Sequence, residues 1–255
     1  PRLKNTESVR IEGAFSALKA VIKACADAGL YVLLDIHSCS NFVGWRAGRL
    51  NALPPYVDTK HRIHYDIRTD QPHDNYFCTY TESAWLADLK TLAGLGEELG
   101  VDNIMGIDIF NEPWDYSWEQ WSAMIEKAYE AIRSVNPNIL IHAQGIGSTH
   151  GHQDGDLNSF TTSPHGKMDL LPSWGENLFE AGKKPPKVPK NKLVFAPHAF
   201  GPSVCVQQMF MDPNQPKCNG LEGDDAGDKQ YNIVINPKIL EEGWDEHFGY
   251  LKGMG

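Results

Sequence analysis

The apolar run Ile104-Met105-Gly106-Ile107-Asp108-Ile109-Phe110 ends in Asn111-Glu112-Pro113 and constrains the fold more than any other segment. A run this short, rich in isoleucine and without strict polar alternation, reads as a strand buried on both faces, as in parallel sheets. Its carboxyl end carries an acid with an amide beside it. Pro113 disfavours the helical region for Glu112, which predicts an extended backbone through the acid before the chain turns outward. Asn-Glu-Pro by itself also fits any strand that ends in a polar loop, so its meaning depends on its surroundings.

Those surroundings alternate strand and helix. Phe15, Leu18, Ile22 and Cys25 recur at helical spacing and Gly29 suits the helix end, after which Tyr31 to His37 forms a short apolar strand closing in Asp35 and His37. A polar stretch from Ser38 to about Tyr80 is longer than a compact domain carries without purpose, and it reads as a cleft wall. Trp85, Leu86, Leu89 and Leu92 mark the next helix. Past Glu112, Ser117 and Gln120 form a capping box for a helix bearing Trp121, Ile125, Ala128 and Ile132. Two further strands are predicted over Asn138 to Ile146 and Leu193 to Phe200, separated by a region rich in Gly, Ser and Pro that contains Trp174-Gly175-Glu176-Asn177. A last helix covers roughly Pro237 to Leu251, with Ile239, Leu240, Trp244 and Phe248 on one face.

Four strands alternating with helices point to an α/β fold. No Gly-rich phosphate loop follows any of them, so a dinucleotide-binding open sheet has no support. In a (β/α)8 barrel the acid-bearing strand ends would all open on one mouth, where such folds place their chemistry. The chain's 255 residues fit one domain, 1–255, and its net charge of -10 argues against tracking a phosphate backbone, so no nucleic-acid partner is expected. No stretch approaches the length of a membrane span, and the opening residues lack a secretory signal pattern. Five cysteines allow Cys205 with Cys218 in a short loop and Cys39 with Cys78 in a longer one, leaving Cys25 over; five reduced thiols fit the count equally well. His61, His64 and His73 crowd the long loop and Asp224, Asp225 and Asp228 a later one. Neither spacing matches a ligand pattern, so no metal and no cofactor is expected.

Taken in order, these segments resemble the catalytic domain of glycoside hydrolase family 5, the endoglucanase-type β-glycanases. Leu33-Leu34-Asp35-Ile36-His37 is similar to the family's third barrel strand, Ile107 to Pro113 to its fourth, and Ala196-Pro197-His198-Ala199-Phe200-Gly201-Pro202 to its sixth. Ser134-Val135-Asn136-Pro137-Asn138, leading into Leu140, resembles the approach to the fifth. Trp174-Gly175-Glu176-Asn177-Leu178 resembles a loop that touches substrate. The resemblance implies a (β/α)8 TIM barrel of which this chain carries about strands three to six, with truncated termini and therefore a partial catalytic domain.

It further implies that Glu112 is the general acid/base, that Asn111 binds the sugar 2-hydroxyl, and that His37 and His198 line the catalytic subsite. Trp45, Trp114 and Trp174 follow strands, where flat indoles stack on pyranose faces, whereas Trp85, Trp121 and Trp244 suit helix-face core positions. Glu176 reads as a solvated loop carboxylate, and Glu241, Glu242 and Glu246 as the wet face of the last helix. Two departures stand out. Phe200 replaces the family's usual Tyr two residues after the sixth-strand His, and the nucleophilic Glu of the seventh strand is expected beyond Gly255. The implied activity is retaining hydrolysis of internal β-1,4-glucosidic bonds in cellulose or soluble β-glucans, by a secreted, extracellular or periplasmic monomer acting on polysaccharide or cello-oligosaccharide. Another β-glycanase such as a mannanase, or a carbohydrate-binding remnant without catalysis, are the alternatives.

Overall fold

A computed structural model describes residues 11–37, 50, 81–113, 116–147, 164–166, 172, 175–199 and 237–254, with the backbone alone at 64–66, 71–73 and 237–240. The parallel sheet consists of β1 (Val32–Asp35), β4 (Ile104–Asp108), β5 (Leu140–Ala143) and β6 (Leu193–Phe195), in the order β1-β4-β5-β6. Each is shorter than its apolar run, although backbone bonds such as Asn111 N–H to the Ile36 carbonyl and Ala196 N–H to the Ala143 carbonyl continue past the strand ends. All three pairings are parallel. Spatial order follows chain order without reversal, as in the wall of a β/α barrel and unlike a doubly wound sheet, whose order reverses at a switch point. A second, antiparallel pair, β2 (His64–Asp66) with β3 (Gln71–His73), lies within the stretch read from sequence as a long loop. Short strands without an apolar run leave no periodic signal to find.

The helices form where their caps and apolar faces predict. α1 (Ala14–Asp27) ends with Gly29 at φ 70, its N–H donating to the Ala26 carbonyl while Leu30 N–H donates to Cys25, the paired bonds that close a helix through a left-handed residue. Thr81 caps α2 (Glu82–Leu99) by accepting from Ala84 N–H at 3.2 Å. The capping box of α3 (Trp118–Arg133) is present in both halves, Gln120 N–H to Ser117 Oγ and Ser117 N–H to Gln120 Oε1. The last helix, α4 (Pro237–His247), is shorter than expected and continues as a 3-10 turn, Gly249–Met254.

One face of the sheet packs on the helices. Leu34 and Ile36, Ile107 and Ile109, and Ile141 and Ala143 meet Ile22 of α1, Trp85 and Leu89 of α2, and Trp121 and Ile125 of α3 in one buried cluster. Trp85 and Trp121 are fully buried, as their helix-face spacing predicts, and each indole N–H donates to a strand-end carbonyl, Ile109 at 2.7 Å and Gln144 at 2.9 Å. Trp244 is half-buried. On the opposite face Leu33 is 45% exposed, and Asp35 and Asp108 stand side by side in register. That face and the carboxyl ends of the strands carry the polar residues considered next.

Candidate functional site at the strand ends

Four strand ends converge on Glu112. Asn111 N–H donates to the Ile36 carbonyl at 3.0 Å, so the chain leaving β4 runs beside the end of β1. His37 follows Ile36, largely exposed, with Nδ1 2.8 Å from Asp35 Oδ2. From the end of β5, the buried Gln144 accepts Glu112 N–H on Oε1 at 2.7 Å and donates through Nε2 to Asp108 Oδ2 at 2.8 Å and Asn111 Oδ1 at 3.3 Å. His198, past β6, brings Nδ1 to 3.0 Å from Glu112 Oε1. The structure therefore brings Asn111, Glu112 and His198 together directly, with His37 on the neighbouring strand end.

Glu112 departs from the extended backbone expected of it. Its φ is 45, and it is the one non-glycine residue with positive φ among the described residues. Pro113 disfavours the right-handed helical region, and the bond to Gln144 together with that from Gly147 N–H to the Pro113 carbonyl holds the chain in the left-handed one. Gln144 was not anticipated as a site residue. The available signal was a polar side chain directly after the apolar run of β5.

Burial and charge act on the same groups in opposite senses. Asp108, only 6% exposed, has its carboxyl pushed up to about 6 by desolvation, opposed by the Gln144 bond and reinforced by the charge of Asp35. His198 is raised above its ordinary value first by its bond to Glu112, against the effect of burial, with further help from the charges of Glu112, Asp108 and Asp35. The site thus holds a half-buried carboxyl at the mouth, bonded on one oxygen to an imidazole that favours its proton. A carboxyl in that setting is suited to giving and taking a proton from a ligand at the mouth.

A turn at residues 175–178 roofs β5 and β6. The Gly175 carbonyl accepts from both Gly145 N–H at 2.8 Å and His198 N–H at 3.0 Å, with Gly175 itself at φ 72. Ile146 and Asn177 exchange two backbone bonds. A Cβ at Gly145 would lie 2.5 Å from Asn177 N and Glu176 C, so only glycine permits this contact. Glu176 corrects the reading of a solvated carboxylate: it is 1% exposed and bonded to His247 Nδ1 at 2.6 Å, because the turn folds inward under α4. Glu241 and Glu242 are exposed as expected, while Glu246 is half-buried.

The three loop tryptophans, Trp45, Trp114 and Trp174, lie outside the described residues, as do Phe200, Cys39, Cys78, Cys205 and Cys218. Cys25 is a free, half-buried thiol. His64 and His73 are backbone partners in the β2–β3 register, while His61, Asp224, Asp225 and Asp228 lie outside the described residues. No helix among the described residues is long and apolar enough to cross a membrane.

Parallel strands in chain order, helices on one face and a carboxyl at the converging strand ends define a β/α-barrel protein. Residues 4–255 match the family model for cellulase (glycosyl hydrolase family 5), and the chain belongs to that family. It is 50% identical to Endoglucanase C of Cellvibrio japonicus over 268 aligned residues, which take in all of this chain and 35% of that protein. The catalytic domain of the major endoglucanase from Xanthomonas campestris pv. campestris superposes with a TM-score of 0.59 at 25% identity, covering 95% of this chain and 54% of that one. A hyperthermophilic endocellulase from Pyrococcus horikoshii shares the fold with a TM-score of 0.57 at 22% identity, over 96% of this chain and 55% of that one. The chain thus spans about a third of the first relative and about half of the two solved structures. Its sheet is a four-stranded portion of the family's barrel.

Proposed function

We propose that the protein is a retaining endo-β-1,4-glucanase, secreted and monomeric, with residues 1–255 forming part of its catalytic domain. The observation that carries the reading is Glu112 at the end of β4, held at φ 45 by Gln144 and hydrogen-bonded to His198. Support for the substrate comes from the relatives, named endoglucanases, and from the relative described as a major extracellular endoglucanase. In this reading the Glu112 carboxylic acid gives its proton to the glycosidic oxygen as the bond to the anomeric carbon breaks. A second carboxylate about 5 to 5.5 Å away forms the glycosyl ester, and the family resemblance assigns it to the seventh barrel strand. Glu112, now a carboxylate, then takes a proton from the water that hydrolyses the ester. His198 holds the Glu112 carboxyl in place, Asn111 presents its amide to the sugar 2-hydroxyl, and His37 and the indoles of Trp45, Trp114 and Trp174 line the glucan path.

The test is leaving-group dependence in the full-length protein. Glu112→Gln keeps the shape of the side chain without its proton, so hydrolysis of unactivated cellulose should fall by about 100- to 10,000-fold. Aryl cellobiosides with acidic phenol leaving groups should still glycosylate the enzyme. A variant that cleaves cellulose at the wild-type rate would remove Glu112 from this role. Parallel assays on carboxymethyl cellulose, mixed-linkage β-glucan and mannan identify the sugar, and preferred cleavage of mannan would overturn the glucanase assignment.

A further inference from the structure

Glu176 and His247 lie outside the acid/base machinery, yet they form a fully buried carboxyl–imidazole hydrogen bond, 2.6 Å long with each side chain 1% exposed. Around them three separate segments meet. Leu178 N–H donates to the His247 carbonyl at 3.0 Å, Asn177 Nδ2 donates to the Pro164 carbonyl at 3.2 Å, and the His165 ring stands edge-on to that of His247 at 6.3 Å. Glu246 packs against Gly166, whose added Cβ would fall 2.2 Å from the Glu246 carboxyl carbon. Among the described residues, the titratable groups beside His247 in this cluster include Glu176, His165 and Glu246.

Simple attachment of α4 to the turn does not require this pair. The backbone bond from Leu178 and the Tyr250 hydroxyl, which accepts from Gly182 N–H at 2.9 Å and donates to the Leu178 carbonyl at 2.8 Å, already make that attachment. Burying a carboxylate and an imidazole costs desolvation that well-packed apolar side chains would avoid, so what the pair adds is direction. Glu176 is the residue next to Gly175, whose carbonyl seats the His198 N–H. A Cβ at Gly175 would come within 3.0 Å of Gln144 Oε1 and 3.1 Å of His198 Cβ, so the turn touches both residues that bond Glu112.

We propose that Glu176 and His247 are positioning residues: their hydrogen bond seats the 175–178 turn on β5 and β6, and through Gly175 holds His198 and Gln144 against Glu112. The kinetic consequence rests on the acid/base reading of Glu112, whereas the structural consequence does not. Nitrogen-15 histidine NMR on the full-length protein reads the latter, with the His198 resonance assigned by its loss in His198→Gln. The described groups acting on His198 include Glu112, Asp108 and Asp35, of which the bonded Glu112 raises its titration most.

In Glu176→Ala the His198 titration midpoint should fall toward its ordinary value as its bond to Glu112 loosens. Cello-oligosaccharide kcat should drop about 10- to 100-fold with KM changed less than about threefold, the signature of misplaced catalytic groups. Glu176→Gln, whose amide oxygen still accepts from His247 Nδ1–H, should restore both. An unchanged His198 midpoint in folded Glu176→Ala, or a Gln variant that behaves as Ala does, overturns the proposal. Should Glu176→Ala fail to fold, the double variant Glu176→Met with His247→Phe removes both polar partners at similar volume and carries the same expectation. An unchanged midpoint there is equally fatal. If the wild-type protein proves to have no glucanase activity, the functional reading fails while the His198 titration still decides this one.

Discussion

Asp108 should make the protein less stable as pH rises through the weakly acid range, and Asp108→Asn should remove that dependence. Moving a carboxyl from 3.8 to about 6 on folding corresponds to about 3 kcal/mol of preference for its protonated form. Because the folded-state value is raised, the folded protein binds more protons than the unfolded chain between those two values. Stability from this group is therefore fully present below 3.8 and lost as pH climbs through about 6. His198, also raised, acts in the same sense, but its contribution is present below its unfolded value of 6.5 and is lost only as pH rises through the higher folded value. The two windows separate. An Asn side chain offers the same oxygen to Gln144 Nε2, while its new N–H2 occupies the place of Asp108 Oδ1, a buried atom without a hydrogen-bond partner. That mismatch costs about 1 to 3 kcal/mol at every pH. The informative quantity is therefore the change in the difference, not its offset. Urea unfolding of the full-length wild type and variant, followed by tryptophan fluorescence from about pH 3.5 to 7, should show the difference moving by about 3 kcal/mol in favour of Asn. A difference constant to within about 1 kcal/mol over that range would show that Asp108 ionises normally in the fold and refute the argument from desolvation.

Trp121→Phe replaces the buried indole by a smaller phenyl ring and strands the Gln144 carbonyl, so the cavity and the lost hydrogen bond together should lower stability by at least about 1 to 3 kcal/mol in the same urea assay; an unchanged midpoint would refute both effects. Gly145→Ala drives a methyl into the backbone of residues 176 and 177 and should cost about 1 to 3 kcal/mol. It should also lower glucanase activity, since the turn it displaces carries Gly175; full activity in the variant would separate turn and site. Trp174→Ala should weaken cello-oligosaccharide binding by about 1 to 3 kcal/mol by calorimetry if the indole is a sugar platform, while intact affinity with reduced thermal stability would make it a packing residue.

What the sequence made legible follows the range of the interaction involved. The four parallel strands, the helices and the core indoles Trp85 and Trp121 all depend on short-range patterns, apolar runs or residues three or four apart, and each lies within its expected segment, with the strands and the last helix shorter than expected. The placement of Glu112, Asn111 and His198 at strand ends was legible because each follows an apolar run, and strand ends are where a barrel gathers its polar groups. Gln144 and the Glu176–His247 pair were not. The Gln144 bond to Glu112 spans 32 residues and the Glu176 bond to His247 spans 71, and no local pattern records which distant polar group a side chain will meet. Glu176 was misread for the same reason: a carboxylate in a polar segment looks solvated until the partner that accompanies it into the interior is known.

Glu112 joins the two kinds of information at one residue. The proline that follows it acts as sequence reasoning says, by disfavouring the right-handed helical region, but that restriction leaves more than one basin and cannot choose between them. The choice is made from β5, where Gln144 accepts Glu112 N–H at 2.7 Å while its own amide is fixed on Asp108 and Asn111. A non-glycine residue at φ 45 carries strain of about 1 to 3 kcal/mol and persists only where its surroundings over-determine it. Here they do, with the backbone held by Gln144, the side chain by His198, and the chain at both Gly145 and His198 bonded to the Gly175 carbonyl. The strained residue is also the one proposed to move the proton. Rigid placement of that carboxyl follows from contacts on three neighbouring strand ends, so a change at Asp108, Gly145 or Glu176 should reach the chemistry through Glu112 without touching substrate.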